Sequence, residues 1–230
     1  MSVKFMKPVL NVVLVDVNSA VVQAWLAAFA DTPEVEITHG SMLSQPVDAW
    51  VTPTNSRGRM DGGLDAVVKR FLGSRIERRV QAEIGERFNG SMPIGAATCV
   101  TTDAELPKYL ISTPTMVNSA ENVSNTFNVA LACAAAFQAI HQQNARIPDS
   151  ILSVAIPGLG AATGRVPPRV CANLMWTGYT LFNDHDFRDY DTLRDTLQEQ
   201  LGAIGPRLER NRVRVQPPVV LEEHNDGCCH

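Results

Sequence analysis

Apolar runs of strand length alternate with amphipathic helical stretches along most of this chain, and that alternation limits its fold more than any other feature. The run PVLNVVLVDVNS, Pro8 to Ser19, is Val- and Leu-rich, as expected of a strand buried on both faces, and it stops at Asp16 and Asn18. Ser19 then reads as an N-cap, with Val22, Trp25, Leu26 and Phe29 on one helical face. PEVEITHGSM and VDAWVTPT read as the next two strands, and a helix is expected over 64–71. SRIERRVQAEIGERF places Ile76, Val80, Ile84 and Phe88 on one stripe of a charged helix. GAATCVTT, YLISTPTM and ILSVAIPG supply further strands. Between them VSNTFNVALACAAAFQAIHQQ reads as a long helix with Val123, Phe127, Leu131 and Ala134 on one side. PPRVCANLMWTGYTLF follows as a helix with proline in its first turn, and Asp191 to Leu201 reads as one more. Strand and helix in alternation define an α/β fold with a largely parallel sheet covered on both faces.

A chain of 230 residues suits one domain, here taken as 1–204, with the charged, proline-rich 205–230 as an extension or arm. The net charge of −4, from 20 basic and 24 acidic residues, argues against a nucleic-acid partner, which would need a basic face. It leaves a small anionic ligand open, because backbone N–H groups can hold a phosphate on an acidic protein. No apolar run approaches the ~20 residues of a membrane helix. The start, Met1-Ser2-Val3-Lys4, lacks a secretory signal, so a cytoplasmic protein with no membrane partner is expected. Cys99, Cys133, Cys171 and the Cys228-Cys229 pair fit neither zinc spacing nor a disulfide framework, and the histidines pair with no nucleophile. No metal and no cofactor are expected. Trp25, Trp50 and Trp176 all sit on apolar faces and read as core.

In parallel sheets ligands sit beyond the carboxyl ends of the strands. Four exits stand out: Asp16-Val17-Asn18, Gly40-Ser41-Met42, Thr52 to Gly63, and Pro157 to Arg165. In the last, Gly158, Leu159, Gly160, Ala161, Ala162, Thr163, Gly164 and Arg165 join a buried strand to a helix. Glycines there let backbone approach a ligand and let successive N–H groups form an anion nest, though the spacing matches neither a Walker loop nor Gly-x-Gly-x-x-Gly. A tight strand–helix connection would use the same residues. In the third exit Thr54 and Asn55 end a strand, Asp61, Gly62 and Gly63 form a loop, and Asp65 opens a helix. An asparagine amide suits a sugar diol. Asp65 is either a first-turn helix charge or a carboxylate that activates water. Asp61 and Arg57 read equally as solvated loop charges.

These segments together resemble macrodomains, modules that bind ADP-ribose. VDAWVTPTNSRGRMDGGLDAVVKRFLG resembles the family pattern V-D-A-I-V-N-A-A-N…G-G…V-D-G, and IPGLGAATGRVP, Ile156 to Pro167, aligns ungapped with F-P-A-I-S-T-G-I-Y-G-Y-P. GAATCVTT…KYLISTPTM falls where the family has G-x-A-x-x-T…K-x-V-I-H-T. The resemblance covers about Glu34 to Phe182 and is closest to a divergent bacterial or phage branch. It implies a three-layer α/β/α sandwich with a central mixed, mostly parallel sheet. It also implies that Asn55 takes the ribose, Gly62 and Gly63 the first ligand loop, and Gly158 to Arg165 the diphosphate. Gly40-Ser41-Met42 stands where the family usually carries an aspartate that reads the adenine amine, which leaves Ser41 as an acceptor there, and Thr52 replaces the first asparagine. In hydrolytic members the asparagine orients the ribose and the aspartate activates water, so Asn55 and Asp65 are the implied catalytic pair and an ADP-ribosylated protein the implied partner. The alternatives are a binding or sequestering module without turnover, and a doubly wound methyltransferase-like enzyme suggested by the acid that ends VVLVD.

Overall fold

The computed structural model describes residues 10–184; the expected helix at 191–201 and the arm at 205–230 lie outside the described residues. In chain order come β1 (Asn11–Asp16), α1 (Ser19–Ala28), β2 (Val35–His39), a 3-10 turn (Met42–Ser44), β3 (Ala49–Asn55), α2 (Gly63–Leu72), α3 (Arg75–Phe88), β4 (Thr98–Thr101), β5 (Tyr109–Met116), α4 (Asn128–Arg146), β6 (Ser153–Ile156) and α5 (Pro168–Asp184). The six strands lie in the order β2-β1-β6-β3-β5-β4. All pairings are parallel except β4 against β5, so the sheet is mixed and mostly parallel, as the alternation predicts.

Burial on both faces explains the continuous apolar strands. In β1, Val12 and Leu14 join the core shared with α1, α4 and α5, while Val13 and Val15 join the core under α2 and α3. The predicted stripe of α3 is seated there: Ile76, Val80 and Ile84 are buried. Each central strand therefore feeds two cores at once, and this sets the three layers.

Four local expectations change. Asn18, not Ser19, caps α1, its side chain accepting from the Ala20 N–H at 3.0 Å. The buried face of α1 runs through Val21, Val22 and Trp25 toward Phe29, and Leu26 is half exposed. α4 begins at Asn128 rather than at Val123. The Val123 N–H donates to Gly164 O at 3.0 Å and Asn122 closes a turn on the Ser124 N–H, so these residues serve the 157–165 loop instead of a helical turn. Trp25 and Trp50 are core, whereas Trp176 is 40 % exposed on α5.

The alanine-rich face of α4 lets α5 come within backbone contact. A Cβ at Gly178 would lie 2.6 Å from Ala130 O and 2.9 Å from Cys133 Cβ, so the absence of a side chain sets the helix–helix distance. Cys133 and Cys171 are buried here and burial pushes both thiols upward, so they behave as small core residues. Gly178→Ala is expected to destabilise the fold by roughly 1–3 kcal/mol through overpacking. Urea denaturation checks this: an unchanged midpoint would show that the two helices part freely.

Candidate functional site

Parallel strands deliver their carboxyl ends to one edge of the sheet, and a cleft of about 350 Å³ opens there. That volume is within the range of small-molecule sites. All four strand exits singled out in the sequence contribute to it: Asp16 and Val17 at the end of β1, Ser41 and Met42 after β2, Gly62 and Gly63 at the start of α2, and Gly158, Gly160 and Ala162 to Gly164 after β6. A fifth exit, Thr115-Met116 at the end of β5, also lines it. Sequence reasoning missed that one, because an apolar strand end carries no loop signal.

The two glycine-bearing loops face each other. A Cβ on Gly63, whose φ is +54°, would sit 3.1 Å from Thr163 Oγ1. Within the second loop the chain folds back on itself: Val166 N–H donates to Gly160 O, and a Cβ on Gly164 would lie 2.7 Å from that same oxygen. Gly160 adopts φ +71°, a conformation that glycine reaches without strain. Several amide N–H groups on the cleft walls, those of Gly62, Gly63, Gly160, Ala162, Thr163 and Gly164, donate to no acceptor among the described residues. The first loop also leads into the N-terminus of α2, where free N–H groups and the helix dipole add positive character. Among the described residues no Lys or Arg lines the cleft. The polar hydrogen-bond donors that it offers along the two glycine-bearing loops are mostly backbone N–H groups.

Other predicted ligand residues sit elsewhere. Leu159 is fully buried core, Asp61 is exposed outside the cleft, and Ala161 and Arg165 do not line it. Thr54 is 2 % exposed and faces the α2 side of the sheet. Asn55 is 7 % exposed and its amide is fully engaged. Its Nδ2 donates to Arg59 O (3.0 Å) and Ser119 Oγ (3.3 Å), while its Oδ1 accepts from the N–H groups of Arg57 and Arg59. Two donors and two lone pairs are all an asparagine side chain offers. Here they shape the 55–59 loop. A register shift between Thr54 and Asn55 in the β3–β5 ladder goes with this placement. Ser41 does line the cleft, but its oxygen accepts from the Leu43 N–H at 3.2 Å and so caps the short 3-10 turn.

Asp65 lies in the first turn of α2, yet it is 5 % exposed and does not line the cleft. Its carboxyl faces the hydroxyls of Thr52 and Thr54 on β3, and neither Asp65 Oδ1 nor Thr54 Oγ1 has a hydrogen-bond partner among the described residues. Thr52 Oγ1 also lies 3.3 Å from Ser112 Oγ, within hydrogen-bond distance. Burial pushes the Asp65 carboxyl up to about 7; the nearby threonine hydroxyls hold it down in part, and the Asp61 and Glu77 carboxylates add to the rise.

Because the folded pKa lies above the ordinary 3.8, the folded state holds one proton more than the unfolded chain between those values. Stability from this group is therefore complete below about 3.8 and is lost as pH rises through about 7, by roughly 4 kcal/mol at most. Asp65→Asn removes the titrating group. It is expected to flatten the fall in stability between pH 5 and pH 8, as read by urea titrations at the two values. A fall of the same size in the variant would exclude Asp65 as its source.

Among the described residues no helix is long and apolar enough to cross a membrane, and no group of three metal-ligating side chains occurs. Comparison with known proteins matches the Macro domain family model over residues 51–175. An uncharacterized protein of Aquifex aeolicus is 33% identical over 142 residues, which span 62% of this chain and 78% of that one. Among solved structures the fold is similar to the macrodomain of Mycobacterium tuberculosis DarG (TM-score 0.52, 22% identity, 64% of this chain and 90% of that one). It is similar also to an Oceanobacillus iheyensis macrodomain mutant solved with ADPR (TM-score 0.51, 16% identity, 71% and 91%). With more than half of its length matched by the family model, this chain belongs to the Macro domain family.

Proposed function

We propose that the cleft binds ADP-ribose, free or attached to a protein, with the diphosphate lying between the Gly62-Gly63 loop and the Gly158–Gly164 loop. The observation that carries this reading is the set of unpaired amide N–H groups on both walls of one slot. A buried or half-buried N–H without an acceptor costs stability, and a diphosphate would satisfy several at once. The apolar side of the slot, formed by Val15, Val17, Met42, Leu64, Val67 and Met116, suits a flat heterocycle rather than a second charged group. The family membership and the Oceanobacillus macrodomain solved with ADPR point to the same ligand class.

Between turnover and binding alone, the placement of Asn55 and Asp65 favours binding alone. The catalytic pair implied by the family resemblance would have to present an amide to the sugar and a carboxylate to a water. In this chain the amide is spent on its own loop and the carboxyl is turned under α2. A module that recognises or sequesters ADP-ribose is therefore our reading, without hydrolysis and without a cofactor. The methyltransferase-like alternative has no support in the matched family.

Calorimetry with ADP-ribose, ADP and NAD, followed by incubation with an ADP-ribosylated protein, tests both halves of this reading. Saturable ADP-ribose binding with no released ADP-ribose is the expected result; release would restore Asn55 and Asp65 as candidates, to be checked with Asn55→Ala and Asp65→Ala. A Cβ at Gly62 meets nothing within 4 Å and its φ is ordinary. Gly62→Val, at the N-cap of α2, should therefore cost stability only through the cap, by roughly 1 kcal/mol. It should weaken ADP-ribose at least about tenfold by narrowing the slot, a loss of about 1.4 kcal/mol. Unchanged affinity in that variant would place the ligand elsewhere.

A further inference from the structure

Gly62 and Gly63 form one wall of the cleft, yet the end of α2 does not fix them there: the N-cap is Gly62, which has no side chain to bond the first-turn N–H groups. The last anchored residue before them is the buried Met60. Its N–H donates to Glu77 Oε1 at 2.8 Å. Only Asp61 and Gly62 separate that bond from Gly63, where α2 begins. Glu77 lies in the first turn of α3, and its other oxygen, Oε2, pairs with Lys69 of α2. One carboxylate thus joins the loop, α2 and α3. Burial pushes this carboxyl up, but the Lys69 ammonium and the Met60 N–H outweigh that and hold it below the ordinary 4.5. α3 supports the loop a second time at Gly58, where a Cβ would lie 2.7 Å from Ile84 Cδ1 and 2.8 Å from Val80 Cγ1.

The segment from Asn55 to Met60 is therefore held along its length, with Asn55 bonded to Arg57 and Arg59, Gly58 against α3, and Met60 on Glu77. Two residues beyond a fixed point have little room to wander. Without the Glu77 acceptor the Met60 N–H would be buried and unpaired, which favours a loop that moves toward water. We propose that Glu77, which does not line the cleft, is a positioning residue for the ligand. By holding the Met60 N–H it sets the Gly62-Gly63 wall against the opposite loop before any ligand arrives, so that binding need not order it. The inference rests on the cleft being an ADP-ribose site and adds what holds one of its walls in place.

The test is titration calorimetry with ADP-ribose on the wild type, Glu77→Ala, Glu77→Gln and Arg79→Ala. Glutamine keeps an acceptor for the Met60 N–H and alanine does not, while both release Lys69. The difference between the two variants therefore reads the tether and not the ion pair. Glu77→Ala should weaken ADP-ribose roughly fivefold to thirtyfold, the cost of re-ordering about one backbone residue. Glu77→Gln should restore the affinity to within about threefold of wild type. Arg79→Ala removes a different anchor of α3, to Asp103 (2.9 Å) and Thr101 O (2.8 Å), and should leave affinity within about twofold. Wild-type affinity in Glu77→Ala, or equal losses in Glu77→Ala and Glu77→Gln, overturns the proposal. A loss in Arg79→Ala that matches the one in Glu77→Ala overturns it too, because the stability of α3 would then be the cause. Amide exchange of the wild type needs no variant to fold: the Met60 N–H should be protected in the free protein and exchange more slowly with ADP-ribose bound. A Met60 amide that exchanges freely, or at one rate with and without ligand, overturns the proposal. Each of these failures leaves the ADP-ribose reading standing. Absence of ADP-ribose binding by the wild type overturns that reading, and this inference with it.

Discussion

Backbone lying on backbone in the Pro157–Arg165 loop is the constraint from which the rest of the cleft follows. Val166 returns to Gly160 O, Gly164 passes the same carbonyl, and Val123 reaches across to Gly164 O. With its carbonyls used internally, the loop turns several N–H groups outward into one slot. The same Val123 contact ties the loop to the segment before α4, so the small-residue loop also decides where that helix starts. Any side chain at Gly164 would meet Gly160 O at 2.7 Å, so the nest and the absence of side chains are one property.

The two faces of the sheet divide the labour differently than the motifs imply. On the face covered by α1, α4 and α5 the core is apolar and tightly joined, with Gly178 letting two helices touch. On the α2–α3 face a polar patch sits inside the core. Asp65 approaches Thr52 and Thr54, Thr52 meets Ser112, and Ser112 is in register with Thr98, whose hydroxyl has no partner among the described residues. Low dielectric raises the Asp65 pKa instead of exposing the carboxylate. A residue that matches a functional pattern has thus become a buried acid whose carboxyl is pushed up to about 7. Its spacing from Asn55 is kept, but the chemistry of the neighbourhood is altered.

The glycines of the cleft were legible because backbone freedom and close approach are read from residue type and position alone. Gly62, Gly63, Gly158, Gly160 and Gly164 were found from composition and position, and they line the cleft. What residue type and position leave open is which way a side chain turns. Asn55 and Asp65 carry the right functional groups, but one is saturated by its own loop and the other is rotated under a helix. Asp16 was noticed as an acid closing a strand and read as a hint of another enzyme class. It acquires a place in the cleft only because β1 lies next to β6 in the sheet and Gly158 follows β6.

From local order alone, the alternation of buried strands and amphipathic helices settled the α/β class, the mostly parallel sheet, and the edge at which the cleft opens. Periodicity and backbone freedom are properties of neighbours in the chain, so the sequence by itself suffices for them. The tertiary structure alone decided which strand exits meet, which carboxylate faces the cleft, and which is hidden. Those outcomes depend on strand order and on hydrogen bonds between residues more than a hundred positions apart, such as Gly158 with Asp16. No spacing rule along the chain encodes a contact of that kind.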